Sequence, residues 1–174
     1  MKENIAIFLE SFSIANPLSE EQTKFILNQN IDTMELGEIG DIYNCWDEYR
    51  SWLKSKNAES VIAMVLKSKS YDWVIGLYDS ATILLPYKGY KKILINPTVN
   101  EADLKNATDF EKQNTYGFFD SEFEKDYEVF QSVYSHSVWF PFMEGLRLVD
   151  IKEIVTEILA LSQSDLDYLE KSTE

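Results

Sequence analysis

Asp72-Trp73-Val74-Ile75-Gly76-Leu77-Tyr78-Asp79-Ser80-Ala81 reads as a buried strand that runs into a tight turn and then a helix. Trp73 to Leu77 is a short, continuous apolar run, the pattern of a strand covered on both faces. Tyr78 stands at the apex of the turn. Gly76, and after the apex the small residues Ser80 and Ala81, fall where the strand and the helix pass too close for larger side chains.

On either side of this unit the chain alternates strand and helix. Ile5 to Leu9 is a second continuous apolar run, again the signature of a strand buried on both faces. A loop containing Pro17 ends at Ser19, which caps an expected helix, with Gln22 completing a capping box and Phe25 and Ile26 continuing it. Residues 31–36 alternate and are expected to form an edge strand before Gly37 and Gly40 break the chain. Tyr43, Trp46, Tyr49 and Trp52/Leu53 recur every three to four residues, one apolar face of a helix, and Val61, Ile62, Val65 and Leu66 do the same for a second. Further strands are expected at residues 92–96, 115–119 and 137–140, and helices around 80–88, 124–133 and 150–161. Such alternation predicts an α/β fold, a three-layer α/β/α sandwich around a mostly parallel sheet of about six strands in the order 2-1-3-4-5-6.

Composition bounds the rest. A chain of 174 residues is the size of one domain, expected to span residues 1–174. With 45% apolar residues and aromatics spread along its length, disorder is excluded and a dense interior expected. No stretch approaches the roughly 20 apolar residues of a membrane span, and the first residues lead straight into a strand, so a cytoplasmic protein without membrane attachment is expected. The single cysteine, Cys45, permits no internal disulfide, fits a reducing compartment, and is expected to be packed in its helix rather than reactive. Thirty acidic against sixteen basic residues give a net charge of −14, which repels polyanions and makes nucleic acid an improbable partner.

Five fragments in order carry a family resemblance: Ile-Phe-Leu-Glu-Ser-Phe near residue 10, Ile-Gly-Leu-Tyr-Asp-Ser-Ala near 78, Ile-Leu-Ile-Asn-Pro near 95, Gly-Phe-Phe-Asp-Ser-Glu near 120 and Glu-Gly-Leu-Arg-Leu near 146. Together they resemble the small, lidless α/β hydrolases of the YqiA-like esterase type, over nearly the whole chain. The resemblance implies an α/β-hydrolase-like domain in which residues 76–81 form the nucleophile elbow, a G-x-S-x-G turn whose glycines let strand and helix approach. It also implies where a catalytic triad should be. The nucleophile position is Tyr78, whose phenol ordinarily titrates near 10 and whose ring would fill the space of an acyl group. The acid falls on Glu122 or, one register earlier, Asp120, and the histidine position falls on Leu146. The family's oxyanion-loop His-Gly pair is replaced by Glu10 and Ser11, and a carboxylate there would raise the energy of a developing oxyanion.

Serine, histidine and oxyanion glycine are therefore absent together, and losing such a unit can cost on the order of a million-fold in rate. The one histidine, His136, opens the last expected strand instead of following it. Six residues of strand would put it roughly 20 Å from the carboxyl-end rim, so a structural histidine is expected. The reading that follows is a pseudoenzyme that binds a small ligand or a protein partner in the former active-site cleft, with no catalytic residue intact and no cofactor. Glu10, Ser11, Tyr78 and Asp79 would form one part of the cleft rim, and Glu122, Glu144 and Arg147 the other. One alternative is an atypical esterase using Tyr78 or a nearby carboxylate. The carboxylates match no known metal loop, so no metal is expected. Another alternative is a scaffolding protein with an exposed aromatic patch, for which Trp139-Phe140-Pro141-Phe142-Met143 is the candidate against the simpler reading of a buried final strand and turn.

Overall fold

The computed structural model describes residues 4–9, 30–35, 48, 51–52 and 54–143. Strands β1 (Asn4–Leu9), β2 (Asn30–Glu35), β3 (Trp73–Leu77), β4 (Lys91–Ile95), β5 (Thr115–Phe119) and β6 (Ser137–Trp139) form one sheet in the order β2-β1-β3-β4-β5-β6. Every neighbouring pair is parallel. Five strands have five or six residues, and β6 is a three-residue edge. The fold is thus α/β around an all-parallel sheet.

Helices α1 (Lys56–Lys67), α2 (Asp79–Leu84), α3 (Glu101–Leu104), α4 (Asp109–Asn114) and α5 (Glu124–Gln131) occur in the connections, with a 3-10 turn at Ser121–Phe123. The strands separate their side chains with period two. Ala6, Phe8, Val74, Leu94 and Phe119 point to one face, where Ile62 and Leu66 of α1, Ala81 and Leu84 of α2, Leu104 of α3 and Phe130 of α5 pack on them. Ile5, Ile7, Trp73, Ile75, Leu77, Ile93, Ile95 and Phe118 form a second buried cluster on the opposite face. Both faces of the central strands are therefore removed from water, which explains why β1 and β3 read as unbroken apolar runs.

Several boundaries differ from the expectation. The edge strand starts at Asn30 and ends at Glu35, β4 starts at Lys91, and the helix expected over 80–88 ends at Leu84. Pro86 follows two residues later, and its fixed ring and missing N–H stop the helix. Helices α3 and α4 were not anticipated because neither is long enough to develop a periodic face. A local signal existed for α4: Thr108-Asp109-Phe110-Glu111 has capping-box spacing, and Thr108 Oγ1 does accept the Glu111 N–H at 3.3 Å. The expected helices at 19–29 and 150–161 and the breaks at Gly37 and Gly40 lie outside the described residues, as does the helix near Cys45 except for Glu48, Ser51 and Trp52. Trp52 packs against the helical-face cluster.

Candidate functional site

β3 delivers the chain to Tyr78, and there the backbone takes φ 54° and ψ −113°. This region is costly for a residue with a Cβ and persists only where the surroundings fix it. They do so by hydrogen bonds. The Tyr78 N–H donates to Ile95 O at 2.8 Å, and its carbonyl accepts from Thr82 N at 3.0 Å and from Thr82 Oγ1 at 3.2 Å. The same Thr82 hydroxyl accepts from Thr98 N at 2.8 Å, which ties the turn to the loop leaving β4.

Close approach supplies the other constraint. A Cβ built on Gly76 would lie 2.8 Å from both Cα and N of Ala81 and 2.9 Å from Leu84 Cδ1. Ser80 and Ala81 are fully buried against this crossing. The small residues at 76, 80 and 81 thus have the function read from their order: they let β3 and α2 touch through their backbones. The Tyr78 ring is half-buried, packs on the cluster around Trp73, Ile75 and Leu77, and meets the Phe123 ring edge-on at a centroid distance of 6.2 Å.

A second unusual backbone lies one strand over. Asn96, the residue after β4, has φ 51°, a conformation asparagine tolerates better than most. Its side chain and Asp120 form a reciprocal pair: Asn96 Nδ2 donates to Asp120 Oδ2 at 2.9 Å, and the Asp120 N–H donates to Asn96 Oδ1 at 2.9 Å. The other carboxylate oxygen, Oδ1, accepts the Glu122 N–H at 2.9 Å, and Trp139 Nε1 donates to the Asp120 carbonyl at 3.0 Å. Asp120 is 2% exposed. It knots the carboxyl ends of β4, β5 and β6 together.

Of the two positions available for the acid, the structure therefore makes Asp120 the buried, oriented one. Glu122 sits in the 3-10 turn with its side chain exposed. The two positions differ because the chain turns away from the sheet directly after Asp120. Both Asp120 oxygens already receive N–H groups from within the fold, so its geometry is that of a clamp. The Asn96 partner was missed; its signal was an asparagine immediately after a buried strand and before a proline.

His136 precedes β6, and its carbonyl accepts from Gly117 N at 2.9 Å at the start of the β5–β6 pairing. Its exposed ring stacks on Tyr116 at 4.4 Å and 17°. The strand it opens has three residues, so the separation from the rim along the strand is nearer to roughly 10 Å than to the 20 Å expected. β6 is short because its only neighbour among the described residues, β5, ends at Phe119, whose carbonyl accepts the last bond of the pairing from Phe140 N at 2.8 Å. The histidine still lies at the end of the sheet away from Tyr78.

Tyr78, Asp79 and Glu122 are the described members of the expected rim, and Tyr78 and Asp79 lie together at the β3–α2 turn. Glu10, Ser11, Glu144, Leu146 and Arg147 lie outside the described residues. Among the described residues no group of three or more His, Cys, Asp or Glu side chains could hold a metal ion, and no helix is long and apolar enough to cross a membrane. The candidate aromatic patch is divided: Trp139, Phe140 and Met143 are half-buried, whereas Phe142 is 97% exposed. Compared with protein-family models, curated proteins and solved structures, the chain matches none.

Proposed function

We propose that this chain is an α/β-hydrolase-like protein of the YqiA-like type that has lost its chemistry and binds a small ligand or a protein partner in the former active-site cleft. The observation that carries the reading is the backbone of Tyr78 at φ 54° and ψ −113°, held over the Gly76–Ala81 crossing. That is the conformation a nucleophile elbow needs, with a tyrosine in place of the serine. On this reading the fold is a three-layer sandwich, and the cleft opens where the loops after β1 and β3 diverge at the carboxyl ends of the sheet. Nothing near the apex supplies a serine–histidine pair, since the single histidine stacks on Tyr116 at the opposite end of β5.

A strained apex kept without a serine also favours a second reading, an enzyme that uses the Tyr78 hydroxyl itself. One assay separates the two. The purified protein is expected to hydrolyse p-nitrophenyl acetate and butyrate no faster than buffer, and Tyr78→Phe is expected to behave identically. Turnover above background that disappears in Tyr78→Phe would overturn the inactive reading in favour of the tyrosine enzyme.

A further inference from the structure

On the helical face of the sheet, the turn after α2, helix α3 and helix α4 border a pocket of about 220 Å³, open to solvent on one side and lined by Pro86, Lys88, Asp103, Ala107, Glu111 and Tyr134 among others. None of its lining residues belongs to the elbow. Polar groups are buried at its inner end. Glu111 is 4% exposed, and while its Oε1 accepts the Gly89 N–H at 3.1 Å, its Oε2 is buried without a hydrogen-bond partner among the described residues. Thr115 Oγ1 is orphaned in the same way, and Thr115 is the register partner of Lys92 across β4 and β5.

The obvious counter-charge for Glu111 is Lys92, but it is directed elsewhere. The Lys92 ammonium, itself 1% exposed, donates to Leu85 O at 2.9 Å. It feels Glu111 only as a neighbouring charge, without an ion pair at contact distance among the described residues. A buried carboxylate oxygen left unmatched is costly, and a small turn of the Glu111 side chain, which lines the pocket, would bring that oxygen to a donor there. Asp103 adds a second carboxylate to the lining, and both it and Glu111 act on the Tyr134 phenol, whose titration is pushed up first by burial and then by these two charges. The space holds several waters or a compact organic cation.

We infer that this cavity is a binding site for a small ligand bearing a primary ammonium or guanidinium group, received by Glu111 Oε2 with Asp103 contributing long-range attraction. A metal ion is disfavoured because no third His, Cys, Asp or Glu side chain joins the two carboxylates among the described residues. Lys88, whose side chain is exposed at the rim, can swing into water when the cation enters.

The test is a titration of the isotopically labelled full chain with propylammonium chloride, followed by amide NMR, with n-propanol and matched sodium chloride as controls. Saturable shifts are expected at the amides of Lys88, Asn106, Ala107 and Tyr134. They should be absent with n-propanol, abolished in Ala107→Phe, which fills the cavity from its wall, and weakened roughly tenfold or more in Glu111→Gln. Should either variant fail to fold, the other variant and the comparison with the alcohol carry the decision. Linear, non-saturating shifts, equal shifts with n-propanol, or binding unchanged in both variants would each overturn the proposal and leave the cavity a water site.

Discussion

Tyr78 holds its backbone at φ 54° and ψ −113°, a conformation that costs a side-chain-bearing residue on the order of 1–3 kcal/mol and costs glycine little. Its ring offsets that cost by packing on the Trp73–Ile75–Leu77 cluster and on Phe123. Truncation separates the two contributions. Tyr78→Ala removes the ring and keeps the strain, whereas Tyr78→Gly removes both. Tyr78→Gly is therefore expected to be more stable than Tyr78→Ala by about 1 kcal/mol, even though the glycine chain has more freedom to lose on folding. Urea denaturation of the two variants measures the difference. The usual order, with alanine the more stable, would mean that the surroundings impose no strain at position 78. The apex tyrosine would then be an ordinary loop residue and the elbow geometry no longer an argument about function.

At the scale of elements, the packing of helices on the sheet depends on two glycines that face the same layer. A Cβ on Gly76 would meet the backbone of Ala81, which cannot yield without moving α2 away from β3. On Gly117 it would come within 2.5 Å of Phe130 Cε1 and 2.7 Å of Cζ, a ring that is fully buried between α5 and β5. Overpacking of this kind costs about 1–3 kcal/mol when side chains can rearrange and more when backbone must shift. Gly76→Ala is thus expected to be the more destabilising of the two, by at least ~1 kcal/mol in the unfolding midpoint comparison. Equal losses would show that α2 is free to slide along β3. The Gly76 contact was legible in the sequence because it belongs to a local strand–turn–helix unit whose other small residues follow four and five positions later. The Gly117–Phe130 contact was not, because it joins residues whose proximity depends on how α5 returns across the sheet. The same distinction separates the strands, whose apolar runs identify Trp73–Leu77 and Thr115–Phe119 to the residue, from α3 and α4, which are too short to show a period and of which only α4 has a side-chain cap. At the candidate site, the strain at Tyr78 was readable from its neighbours, while the Asn96–Asp120 clamp required the pairing of β4 with β5.

For the whole molecule, the net charge of −14 sets a background of self-repulsion that deepens as pH rises and lysines discharge. Lys92 acts against that trend. Burial is the main cause that lowers its pKa to about 8, with Glu111 opposing and Lys88 adding to the shift, whereas in the unfolded chain it titrates near 10.5. Between those values the unfolded state binds the proton that the folded state has released, so stability linked to this group rises with pH from about 8 to about 10. The tyrosines have the opposite effect above that window. Tyr71, pushed up to about 12 by burial and by its hydrogen bond to Asp32, keeps its proton in the fold after the unfolded chain has lost it near 10, and stability falls as pH rises further. Comparing wild type with Lys92→Met cancels the shared repulsion and the tyrosines. The variant leaves Leu85 O without its donor, so its baseline can lie on either side of the wild type, and the slope is the quantity that decides. Urea unfolding free energies at pH 7, 8, 9 and 10 are expected to show the wild type gaining on the order of 2 kcal/mol relative to Lys92→Met, nearly all of it above pH 8. A difference that stays constant across the series would mean that Lys92 carries its charge in the fold as readily as in water.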